Sequence, residues 1–187
     1  SSALFLLSFG AASAAFAQQP PAAPVPAATK TASAIMQPSL DTLGQTIGTL
    51  RPDKWKAAGS VREEAAANIV SIHQDLETIL PPLLVAADGA PGSVAQVLPA
   101  YRNIDALYDV LLRVSEAGRL AAPGDQAAAL EAARSSLEGA RRTLGESVQA
   151  SALAQEQQVH NLQAAVRAIP AAPAPVACPA PAPVKKH

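Results

Sequence analysis

Apolar positions between residues 38 and 169 recur every three or four residues in four separate stretches. Each stretch predicts an amphipathic helix with one face turned toward a shared core. In the first, Leu40, Leu43, Ile47 and Leu50 follow a three-four-three spacing. Ser39 is placed to cap it, and Arg51-Pro52 to stop it, because proline disfavours helical geometry in the residue before it. The second starts at Val61, behind Ser60 and Glu63 at the spacing of a capping box, in which each side chain would satisfy a free N–H of the first turn. Its stripe runs Val61, Ala65, Asn68, Ile72, Leu76, Ile79 and Leu83, widened by Ile69 and Leu80. Pro81 and Pro82 remove two backbone donors, so a kink or restart is expected there before "DGAPG" ends the helix.

The third stretch, starting at Pro99, contains "YRNIDALYDVLLRV" (101–114), which holds both tyrosines of the chain. At 100° per residue, Tyr101, Ile104, Leu107, Tyr108, Val110, Leu111, Leu112, Val114 and Ser115 share an arc of about 200°, wide enough to need neighbours on two sides. Tyr101 and Tyr108 are one heptad apart and should fill a single seam, their hydroxyls seeking polar partners at its edge. Arg102, Asp105, Asp109 and Arg113 occupy a narrow opposite stripe, which reads as a solvated face. The rival reading makes Asp105 and Asp109 a cation-binding or acid–base pair, but the flanking arginines would neutralise it. Asn103 lies within the apolar arc, where a buried amide can fix the register of packed helices at some cost in stability.

The fourth stretch follows Asp125, a candidate cap, and extends to Ile169. Its seam is Leu130, Ala133, Leu137, Ala140, Leu144 and Val148, then Ala152, Gln155, Val159, Leu162, Val166 and Ile169. Arg134, Glu138, Arg142 and Glu146 form a charge ladder of alternating sign that should face water. About 45 residues of unbroken helix would span roughly 67 Å. Either Gly139 and Gly145 mark a bend, or the Gln-rich end projects and meets the first helix or another copy of the chain, making a homo-oligomer through this helix. The expected fold is therefore all-α: an antiparallel bundle of three long helices plus one short N-terminal helix lying beside the longest.

Composition adds the ends. Residues 1–17 contain an uncharged apolar run closing on Ala15-Phe16-Ala17. It is too short for a bilayer of about 30 Å and has the pattern of a signal peptide cleaved after Ala17. Residues 18–37 and 170–187 are rich in proline and alanine and are expected to be disordered, polyproline-like spacers. That leaves 38–169 as one domain, with no transmembrane segment after removal of the signal. Trp55, between Lys54 and Lys56, should cover an edge of the core with its N–H left to water. Cys178 is the only cysteine, so it cannot close an internal disulfide; it offers a thiol for a disulfide between chains.

The net charge of −1 gives no reason to expect a nucleic-acid partner. His73, His160 and His187 are scattered, and Glu156 with His160 lacks the repeated Glu-x-x-His units of a di-metal bundle. No phosphate-cradling glycine loop, nucleophile elbow, zinc spacing or haem attachment occurs, so neither cofactor nor metal is expected. These features predict an exported, non-enzymatic helical protein of a bacterial cell envelope, periplasmic or secreted, acting on protein partners or as a structural element. One alternative is a periplasmic chaperone or stress-binding module with an apolar groove between helices. The other is an enzyme working from Asp105, Asp109 and His73.

Overall fold

The computed structural model describes residues 30–169. The expected signal peptide, most of the first spacer, the C-terminal spacer, Cys178 and His187 lie outside the described residues. Within them the chain is helical and has no strand, in the order α1 (Ala32–Thr49), a 3₁₀ turn (Pro52–Lys54), α2 (Gly59–Gln74), a π turn (Asp75–Ile79), α3 (Leu80–Gly89), α4 (Val94–Ala121) and α5 (Gly124–Ala168). The segments from Gly59 to Gly89 are continuous, so the fold consists of four rods.

α1 begins at Ala32, eight residues before the expected start, and is no short helix. Thr31 caps it, its Oγ1 accepting from the N–H of Ala34 at 3.2 Å. Pro38 sits inside the helix, where its missing N–H removes one backbone bond. Burial of Met36 and Ala32 together with the Thr31 cap offsets that loss of about 3 kcal/mol, since a fully buried apolar side chain of methionine size stabilises by about 1.5–3 kcal/mol and a cap by about 1 kcal/mol. Ser39 is therefore no cap. It faces α5, where its Oγ donates to the carbonyl of Ser136 at 3.1 Å and lies 2.9 Å from the Ser136 hydroxyl.

The capping box does not form either: α2 starts at Gly59, and Ser60 is already inside its first turn. Near Pro81-Pro82 the chain widens instead of breaking. Leu80 donates its N–H to the carbonyl of Asp75, five residues back, and the two prolines follow in the first turn of α3, where a missing donor is tolerated. The extra residue in that turn moves the buried stripe. Ala65 and Ile72 are buried as expected, but beyond the π turn Leu80, Leu84 and Ala87 take the core positions, while Ile79 and Leu83 are only partly covered. Val61 is exposed.

α4 starts at Val94, five residues early, with Pro99 in its second turn. Its arc packs as the periodicity predicts: Ile104, Leu107, Leu111 and Val114 are completely buried. α5 runs unbroken through Gly139 and Gly145. α4 and α1 both pack against α5, and α2 and α3 pack on α4, whereas α1 packs less closely on the α2–α3 rod, tied to it where the N–H of Ser33 donates to Asp88 Oδ1 at 3.0 Å. The inter-helix bonds run in opposite sequence directions, which makes neighbours antiparallel. Ser39 meets Ser136 while Arg51 meets Gln126, and Asp105 meets Arg141 while Tyr108 meets Glu138.

One end of the bundle is closed by Trp55. Its ring is buried and its indole N–H is not left to water; it donates to Gln126 Oε1 at 3.0 Å, an oxygen that also accepts the N–H of Arg51. No helix among the described residues is long and apolar enough to cross a membrane.

Candidate interaction surfaces

Three features stand out from an otherwise ordinary bundle surface. The first is the seam between α4 and α5, where the tyrosines lie. The ring of Tyr101 packs over Gly145, at which an added Cβ would come within 3.2 Å of the ring. Tyr108 is buried at the next heptad. Its hydroxyl accepts from Arg134 Nη1 at 3.1 Å and donates to Glu138 Oε2 at 3.3 Å. Arg134 also grips Glu131, at 2.5 and 3.0 Å.

Across the ring of Tyr108 lies the guanidinium of Arg141, 4.6 Å from the ring centre, a geometry in which a cation is attracted by the face of the π system. Arg141 is tied to Asp105 of α4. Burial disfavours its charge, but the bond to Asp105, the carboxylate's field and the two tyrosines outweigh that and raise its pKa. The hydrogen bonds to Glu131 and Tyr108 raise the pKa of Arg134, and the bond to Arg134 lowers that of Glu131.

The charge ladder is thus not wholly a water-facing side, since Arg134 and Glu138 close over Tyr108. Of the α4 stripe, Arg102, Asp109 and Arg113 are exposed, but Asp105 reaches across to α5. Asp105 and Asp109 therefore do not act as a pair. Asn103 is half-buried, and its Oδ1 is shut off from water with no hydrogen-bond partner, so its amide oxygen fixes no register by hydrogen bonding. Arg141, which anchors the seam, was not singled out by periodicity; the clue available was a cation beside Ala140 on the apolar side of α5, one helical turn from both Leu137 and Leu144.

The second feature is a cleft of about 610 Å³ where α1 and the α2–α3 rod diverge. Leu40, Leu76, Leu80 and Leu84 form its floor; Gln37, Asp41, His73 and Glu77 stand along its walls. His73 Nδ1 is 3.9 Å from Glu77 Oε1. Neither Asp105 nor Asp109 lines this cleft, so the three residues of the enzyme reading are not assembled into one pocket. Among the described residues no group of three or more His, Cys, Asp or Glu is placed to hold a metal ion.

The third is the end of α5. The expected seam is buried through Leu130, Ala133, Leu137 and Leu144 and half-covered at Val148. Beyond Ala152 it continues with no cover: Val159 is 51 % exposed, Leu162 58 %, Val166 66 % and Ile169 68 %. Gln155 donates to the carbonyl of Gly92 at 3.0 Å and marks the last tie to the body. Past it the helix makes no hydrogen bond or ion pair to any other element among the described residues, so it projects and does not meet α1. His160 is exposed on this arm.

These features define an all-α four-rod bundle with one overlong helix. Comparisons with protein-family models, with curated proteins and with solved structures find no match to the chain.

Proposed function

We propose that this is an exported, non-enzymatic helical protein of a bacterial cell envelope, and that it works by protein–protein contact through the projecting end of α5. The observation that carries this reading is the apolar stripe Val159, Leu162, Val166 and Ile169, held in water by a helix whose first half is locked into the bundle. Solvent-exposed aliphatic rows at this spacing have a use when another helix covers them. The apolar run at residues 1–17 supports export, and the proline-alanine spacers support work at a distance from whatever anchors the ends.

The test places a photo-crosslinker at Val166 in cells and, as a control, at Arg102. The proposal expects crosslinks to a defined protein from Val166 only, lost in Leu162→Glu, from a chain recovered without residues 1–17. A chain that stays in the cytosol uncleaved, or equal crosslinking from both positions, contradicts it.

A second reading is favoured by the cleft between α1 and the α2–α3 rod: a chaperone or stress-binding module that holds apolar client segments over Leu76, Leu80 and Leu84. Val85 stands on its rim, 72 % exposed. On this reading the protein suppresses aggregation of an unfolded client and Val85→Glu abolishes the effect without changing the melting temperature. Failure of the wild-type protein to suppress aggregation removes it.

A further inference from the structure

We infer that the end of α5 binds the same segment of a second copy of this chain, antiparallel, over residues 152–169. The inference rests on the reading of the arm as a contact surface and names its partner.

Three observations select this occupant. First, the exposed stripe is the direct continuation of the buried seam, with Ala152, Gln155, Val159, Leu162, Val166 and Ile169 keeping the three-four alternation of a two-stranded coiled coil. A covering helix must therefore lie along the line that the core of the bundle occupies lower down. A parallel second copy would drive its own body into that space. An antiparallel one brings only its tip up to the body, leaving the two bodies at opposite ends of an overlap of about 26 Å.

Second, the tip has a seat. Where α5 leaves the bundle, Val94 at the start of α4 joins Ala152, Gln155 and Val159 around a hollow of about 340 Å³. In the antiparallel register Ile169 of each copy faces Ala152 of the other, bulky against small. Val166 faces Gln155, whose amide nitrogen is already bonded to Gly92. Val159 and Leu162 face one another across the two-fold axis. A parallel register would instead oppose Ala152 to Ala152 and Gln155 to Gln155, leaving a thin layer and a polar one.

Third, the arm's two full charges are complementary in this arrangement. Glu156 and Arg167 are at opposite ends of it, and reversing one helix brings each beside the other's opposite, on the same side of the seam.

The overlap is short, so association should be weak, in the range of small transient interfaces. Sedimentation equilibrium of the full chain under reducing conditions, so that Cys178 cannot link copies, should show a monomer–dimer equilibrium complete by the order of 100 μM. Leu162→Glu should leave a monomer with the helical signal and melting temperature unchanged, because that side chain is 58 % exposed on the projecting arm and lies outside the buried core. Glu156→Arg and Arg167→Glu should each weaken the dimer about two- to fivefold, and the double reversal should restore it.

A chain that is monomeric throughout overturns the second copy as occupant; crosslinks to another protein from Val166 in cells would still stand for the contact surface. A dimer that survives Leu162→Glu, or charge reversals that do not rescue one another, also overturns the inference.

Discussion

Arg141 of α5 lays its guanidinium over the face of Tyr108 of α4, 4.6 Å from the ring centre, while two other α5 side chains, Arg134 and Glu138, bracket the hydroxyl of the same tyrosine. The ring and the hydroxyl are thus held by separate groups and can be tested apart. Tyr108→Phe keeps the ring under Arg141 and should cost about 1 kcal/mol, the net worth of the hydroxyl's bonds. A double-mutant cycle on Tyr108→Ala and Arg141→Ala, read by urea melts, should give a coupling of roughly 0.5–2 kcal/mol, whereas simple additivity would mean that the stack contributes nothing.

Gly118 of α4 and Gly139 of α5 should respond in opposite directions. At Gly118 an added Cβ would meet Leu130 Cδ1 at 2.6 Å and Trp55 Cη2 at 3.5 Å, and both neighbours are buried. Gly118→Ala should lose about 1–2 kcal/mol despite the better helix former, because overpacking outweighs propensity. Gly139 is exposed with nothing within 4 Å, and Gly139→Ala should gain up to about 1 kcal/mol. Thermal melts of the two variants check both signs.

Asn103 carries a buried acceptor with no donor. Its replacement by leucine should raise the melting temperature, since an unsatisfied buried polar atom costs about 1–3 kcal/mol. A lower melting temperature for Asn103→Leu would mean that the amide has a partner that matters more than its unpaired oxygen.

Asp75 begins the π turn, and burial raises its pKa above the ordinary carboxylate value. An acid whose folded pKa exceeds its unfolded one binds its proton more tightly when folded. Stability therefore falls as pH rises through the window between the two values and stays lower above it. Asp75→Asn should be more stable than wild type at neutral pH, with the advantage fading as pH drops below the unfolded value. Denaturant melts at pH 3 and pH 7 give the comparison.

The sequence carried the parts of this fold that depend on one helix at a time. The seams of α4 and of the first half of α5 follow from spacing, because on long helices the buried and exposed faces repeat over many turns. The start of α1 was hidden by Pro38, a local helix breaker overruled by burial of Met36, a tertiary gain. The shift from Ile79 and Leu83 to Leu80 and Leu84 was hidden because a π turn inserts one residue into the count, and the two prolines mark only the place.

The α4–α5 seam was half legible. Tyr101 and Tyr108 lie on one seam as their heptad spacing suggests, but which side chains meet them depends on the vertical offset of two helices, which spacing within each helix does not contain. Spacing alone therefore does not single out Arg141, leaves Arg134 and Glu138 facing water, and does not join Trp55 to Gln126, 71 positions away.

The antiparallel pairing proposed for the exposed α5 arms of two copies can be measured directly. A spin label at Leu153→Cys, on a Cys178→Ser background, should give a dipolar distance between copies dominated by an axial offset of about 22 Å, since residue 153 of one antiparallel helix faces residue 168 of the other. A distance near the roughly 10 Å spacing of paired helices, or no dipolar coupling between copies at the order of 100 μM, would contradict it.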